Sequence, residues 1–202
     1  MRSTTRLLLV PIIAACTAGL AAAATPPGPS PALPATATAT ATAGAPTSSA
    51  TSAAPANGAA PAPAAELIDA AGLRQRLAAQ RGKIVVLNLW ATWCVPCLRE
   101  IPDLVAVAQE LAPRGVTLLG LSMDEPSALA EQVEPFRRKH FPQFHTALRA
   151  TADMDSIVSV VDPAWNEILP TTYLIGRDGQ VAKKIQGKRT LEQFRELIKE
   201  VP

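Results

Sequence analysis

The sequence predicts an α/β domain in which helices cover both faces of a central mixed β-sheet, with a disordered linker in front. Three observations carry this reading. Two apolar, β-branched runs, IVVLNLW (84–90) and VTLLGLSMD (116–124), bracket a stretch whose apolar residues recur at helical spacing. A strand–helix–strand order of this kind joins parallel strands. Further on, TTYLIG (171–176) and QVAKKIQG (180–187) flank Arg177-Asp178-Gly179, the pattern of an antiparallel hairpin.

The elements follow in chain order. Asp69 suits the N-cap of a helix through LRQRLAAQ, with Gly82 just past its end, where a C-terminal glycine is favoured. Residues 84–90 then read as a strand buried on both faces. In LREIPDLVAVAQELA, apolar residues at 98, 101, 104, 105, 108 and 111 form a helical stripe, and Pro102 predicts a kink. Gly115 leads into the second buried strand. Asp124-Glu125-Pro126 opens a further helix carrying EQVEPFRRKH. PQFHTAL is a weak strand and ADMDSIVSVV a short helix. After the hairpin, Thr190 with Gln193 makes a capping-box pattern before LEQFRELIKEV, whose Leu191, Phe194, Leu197 and Ile198 share one face.

The amino terminus has a different character. MRSTTR supplies Arg2 and Arg6 without an acid, and LLLVPIIAA follows, the pattern of a secretory signal. Residues 1–24 are therefore expected to be an export signal. Ile13-Ala14-Ala15-Cys16 resembles a bacterial lipobox, which makes Cys16 the expected lipidation site and the membrane a partner through that anchor. Cleavage after Ala22-Ala23-Ala24, or retention as an uncleaved anchor, is the alternative. Residues 25–65 hold no charge and almost no large apolar side chain, so they are expected to form a disordered Ala/Pro/Thr tether. Residues 66–202 are long enough for one domain with its own core. The mature domain is expected outside the cytoplasm, where disulfides persist. With Lys and Arg totalling 19 against 17 for Asp and Glu, a net charge of +2 gives no reason to expect nucleic acid as a partner.

The chemistry concentrates in NLWATWCVPCLREIP (88–102), where Cys94 and Cys97 stand two residues apart. A zinc site needs four ligands. The chain's two histidines, His140 and His145, lie far beyond a finger's loop from Cys97, so no metal is expected. A copper-chaperone site would want a longer cysteine spacing. A static brace closing so short a loop would restrict the unfolded chain only slightly. Redox exchange remains, and the strand–turn–helix setting fits it, because a helix N-terminus favours the reactive thiolate.

WATWCVPC, Pro102 and the downstream LPTTYLIGRDGQV resemble the thioredoxin superfamily, and within it the exported TlpA/ResA-like thiol–disulfide oxidoreductases. The resemblance covers roughly residues 70–202. It implies a thioredoxin-like fold in which Cys94 is the exposed attacking thiolate and Cys97 the shielded resolving thiol. Their redox-active disulfide would be the only cofactor. Val95 and Pro96 would stiffen the turn, and Trp93 would cover the site, with core packing as its plainer alternative. Leu169-Pro170, followed by Thr171, matches the family's cis-proline facing the cysteines.

Two departures stand out. Thioredoxin carries a buried carboxylate six residues before its first cysteine, where this chain has Asn88, which cannot accept a proton. Glu100 is the nearest replacement, although the simpler expectation is a solvated carboxylate on the first turn. Trp165-Asn166-Glu167 replaces a tyrosine-containing pattern before the cis-proline, and Glu167 is a second candidate for tuning the site.

The functional expectation is a periplasmic, monomeric reductant of protein disulfides in cytochrome c or copper-site maturation. A membrane donor of the DsbD/CcdA type would supply its electrons. The absence of a histidine between the cysteines leans toward a potential near thioredoxin's, about −270 mV. A thiol peroxidase and a non-catalytic binding module with an inert disulfide are the alternatives.

Overall fold

A computed structural model describes residues 60–202. The expected signal segment, Cys16 and the linker as far as residue 59 lie outside the described residues. Six strands form one sheet: β1 (Leu67–Ile68), β2 (Ile84–Trp90), β3 (Val116–Ser122), β4 (Thr146–Arg149), β5 (Thr171–Ile175) and β6 (Val181–Gln186). Their order is β1-β4-β3-β2-β5-β6, with β1 to β4 mutually parallel and β5 and β6 antiparallel. The helices are α1 (Ala70–Ala79), α2 (Val95–Leu111), α3 (Glu134–His140), α4 (Met154–Val158) and α5 (Leu191–Lys199).

β2 lies at the centre because every one of its seven residues is apolar or paired, and all seven are buried. Alternation along it divides the core. Val85, Leu87 and Leu89 pack with Leu73 of α1 and Ile157 of α4. Val86 packs with Leu104, Val107 and Leu111 of α2 and with Phe194 and Ile198 of α5. Burying a side chain of this size contributes about 1.5–3 kcal/mol, so covering β2 on both faces fixes its place.

The caps form as their residues dictate. The Asp69 side chain accepts from Gly72 N–H at 2.8 Å, and Thr190 and Gln193 close a reciprocal capping box at α5. α2 starts at Val95, earlier than its apolar stripe, because Cys94 takes the N-cap, and Pro102 lies inside it. The proline withholds one backbone donor there.

Three features differ from expectation. β1 is a two-residue edge strand, too short to leave a periodic signal, and it exists through pairing with β4. The expected helix after Asp124 is divided into a 3₁₀ turn (Pro126–Ala128), a π turn (Leu129–Val133) and α3. Pro126 and Pro135 withhold N–H groups that one continuous α-helix would use. The folded part also begins ahead of Glu66. Ala62 and Ala65 are buried; Ala62 N–H donates to Pro142 O at 2.8 Å and Ala65 N–H to Glu134 Oε2 at 3.0 Å. Backbone groups make these contacts, so an alanine- and proline-rich composition does not advertise them.

Candidate active site

β2 delivers the chain to the site. After Trp90, the loop Ala91–Trp93 turns into α2, and Cys94 caps that helix, its Sγ accepting from Cys97 N–H at 3.3 Å. Cys94 and Cys97 form a disulfide with a Cα–Cα distance of 5.3 Å. A sulfur in this position faces the free N–H groups and positive end of a seventeen-residue helix, which favour a thiolate when the bond opens.

Trp90 anchors the strand from below. Its Nε1 donates to Thr146 Oγ1 at 2.8 Å, and its ring meets Phe144 edge-on at 5.5 Å. Trp93 points away from the core and is 63% exposed. Ordinary core packing therefore belongs to Trp90, three residues earlier.

The Leu169–Pro170 peptide is cis and leads directly into β5. Thr171 Oγ1 donates to Ile168 O at 2.6 Å, and Pro170 O accepts from Gly187 N–H at 2.9 Å, so both sides of the proline are tied down. Trp165 is buried, whereas Glu167 is exposed and holds a left-handed backbone with φ +58°.

Beneath the disulfide lies a polar cluster inside the core. Glu100 is only 1% exposed and Asn88 likewise. Asn88 Nδ2 donates to Glu100 Oε1 at 3.2 Å and to Thr172 Oγ1 at 3.0 Å; Arg189 N–H donates to Glu100 Oε2 at 2.7 Å. Burial pushes the Glu100 carboxyl up to about 7, against the lowering effect of the Arg189 N–H and of the Arg189 and Lys188 charges. A carboxyl at that value exchanges its proton near neutrality.

Residues 59–184 match the AhpC/TSA family. The thiol-disulfide oxidoreductase ResA of Bacillus thuringiensis subsp. konkukian is 31% identical over 140 residues, which span 69% of this chain and 76% of that protein. ResA of Geobacillus thermodenitrificans is 33% identical over 142 residues, spanning 69% and 75%.

The chain belongs to the AhpC/TSA family.

Within it, this ResA-like protein is a thiol–disulfide oxidoreductase. A thioredoxin-family thiol:disulfide interchange protein from Chlorobium tepidum TLS superposes with a TM-score of 0.53 at 24% identity, covering 70% of this chain and 95% of that one. This likeness gives the ResA-like chain its thioredoxin-like fold, as the motif resemblance implies.

Two residues of the site differ from expectation. Glu100 is not a solvated carboxylate on the first turn; the loop before α5 folds over it and supplies the Arg189 N–H. Cys94 is also far from exposed. In the closed disulfide it is 5% exposed against 1% for Cys97. Thr172 and the Arg189 backbone escaped sequence reasoning. Thr172 faces Asn88 directly in the β2–β5 register, a pairing visible only once the two strands are known to be neighbours.

Proposed function

We propose that this protein is an exported reductant of protein disulfides that works through a Cys94–Cys97 dithiol and no other cofactor. The observation that carries the reading is the placement of that disulfide at the N-terminus of α2 with the buried carboxyl of Glu100 one turn further along the same helix.

In the reduced protein, Cys94 as thiolate attacks one sulfur of a client disulfide. The client S–S bond breaks, a mixed disulfide forms, and the departing client sulfur takes up a proton. Cys97 then gives its proton to Glu100 and attacks Cys94 Sγ. The second client sulfur leaves as a thiolate and is protonated in turn. Two electrons have passed to the client, and Cys94–Cys97 is left oxidised. A membrane dithiol partner of the DsbD/CcdA type returns it to the reduced state.

The client is a polypeptide with an oxidised cysteine pair, such as apocytochrome c or a copper-site protein. Trp93, Val95 and Ile168 support this choice: three of the five large exposed apolar side chains among the described residues flank the cysteines or the cis-proline. An extended client segment needs such surface for binding. The basic, apolar amino terminus supports export to the periplasm, with Cys16 as the lipid-bearing residue and residues 25–59 as the spacer. The protein acts there as a monomer.

Insulin reduction tests the reading. Cys94→Ser should abolish turnover, and Cys97→Ser should trap a mixed disulfide visible by mass spectrometry. Unchanged turnover in Cys94→Ser ends the proposal. A midpoint potential near that of the strong oxidant DsbA, about −120 mV, would reverse the direction of electron flow. Peroxide consumption by the reduced protein would favour a thiol peroxidase instead. A disulfide that stays closed in every glutathione buffer would leave only a binding module.

A further inference from the structure

Asp124 follows β3 and is buried, at 2% exposure, although nothing in the mechanism above uses it. Its carboxylate accepts three side-chain or backbone hydrogen bonds. Thr92 N–H donates to Oδ2 at 3.0 Å, Thr92 Oγ1 to Oδ1 at 2.6 Å and Ser122 Oγ to Oδ2 at 2.6 Å. Thr92 stands two residues before Cys94, next to the exposed Trp93. Gln132, placed by the π turn, donates to Thr92 Oγ1 at 2.6 Å.

Asp124 is itself held from behind. Met123 N–H donates to Trp90 O at 2.7 Å, and the buried Arg149 donates to Met123 O at 3.0 Å and to Glu125 Oε1 at 2.7 Å. The end of β3 is thereby fixed on both sides of Asp124, and among the described residues the loop its carboxylate grips is the one that carries the cysteine.

We propose that Asp124 is a positioning residue of the redox site, clamping Thr92 at both its N–H and its hydroxyl so that Cys94 stays at the N-cap of α2. The two donors of Thr92 meet different oxygens of Asp124, and an asparagine would turn its NH2 group, a donor, toward one of them. Through Thr92, the clamp fixes where Cys94 Sγ meets the free N–H groups of the helix. This rests on the redox reading of Cys94 and Cys97 given above.

Asp124→Asn, Thr92→Val, the double variant and Thr92→Ser test it, each made in the full chain. The rate at which iodoacetamide alkylates reduced Cys94 at pH 7, the midpoint potential and the thermal midpoint are measured together. The alkylation rate should fall about two- to fivefold in Asp124→Asn and in Thr92→Val, the range for a charge losing its place at a helix N-terminus. The midpoint potential should move with it. The double variant should be no slower than the slower single one, because both break one clamp. Thr92→Ser, which keeps both donors, should alkylate like the wild type.

Unaltered alkylation and potential with only a lowered thermal midpoint would overturn the assignment, leaving Asp124 a purely structural residue. Faster alkylation in Asp124→Asn with no change in Thr92→Val would also overturn it, in favour of a through-space charge effect. A wild-type protein that fails to reduce insulin removes the functional reading and the clamp's role with it. An active wild type with unaffected variants removes the clamp alone.

Discussion

Asn88 Nδ2 on β2 donates to Glu100 Oε1 on α2 across 3.2 Å, inside the core and twelve residues apart in the chain. The carboxylate thus enters this core from the helix, and the strand supplies an amide that holds it. Thr172 and the Arg189 N–H complete the enclosure. A buried carboxyl surrounded by donors has one acidic proton to exchange, and its affinity for that proton is set by burial.

Activity should register that proton. In wild type, kcat for insulin reduction should change with an ionisation near pH 7, the value to which burial pushes Glu100. Glu100→Gln preserves shape and should remove that ionisation while lowering kcat roughly 10²-fold or more, the scale of general acid–base catalysis. A pH–rate profile identical to wild type would show that Glu100 does not handle the Cys97 proton.

Stability should register it with the opposite convenience. The Glu100 carboxyl holds its proton more tightly folded than unfolded, at about 7 against 4.5. Its contribution is fully present below about pH 4.5 and is lost as pH rises to 7. The total is on the order of 3 kcal/mol. Urea unfolding at pH 4.5 and 7 should show wild type weakening across this window relative to Glu100→Gln, which has no proton to lose.

Trp93 should matter to binding and not to folding. At 63% exposure it can be truncated without opening a cavity. Trp93→Ala should raise KM for a protein disulfide severalfold and leave the unfolding midpoint in urea unchanged. A drop in stability comparable to a core substitution would mean that the ring packs inward.

Gly120 is required by close approach. A Cβ there would lie 2.4 Å from Phe144 Cζ and 2.7 Å from Thr146 Oγ1, the residues that support Trp90. Gly120→Ala should cost about 1–3 kcal/mol in urea unfolding. Combined with Phe144→Leu, it should cost less than the sum of the two.

The segment before Glu66 should contribute measurably. A chain beginning at Glu66 loses the Ala62 and Ala65 backbone bonds that one beginning at residue 60 retains. The expected difference is about 1–3 kcal/mol for two hydrogen bonds, read from urea midpoints of the two truncations.

The sequence by itself determined the chain order of β2 to β6 and of α1, α2 and α5, the Asp69 and Thr190 caps and the cysteine pair at the head of a helix. Each is a local matter. An apolar run, a capping side chain or a two-residue spacing reports what its own element does. The neighbours of an element are another matter. Glu100 sits one helical turn from Cys97, and spacing alone allows it to face water as readily as the core. Its burial was decided by Arg189, 89 residues further along, whose N–H closes over it. The same holds for Thr172 opposite Asn88 and for Asp124 beneath Thr92, partners joined only when separate strands and loops pack. The edge strand β1 and the π turn that places Gln132 likewise depend on contacts with distant chain. Hydrogen bonding and desolvation act between residues brought together in space, so the charge state and rigidity of this site belong to the tertiary structure.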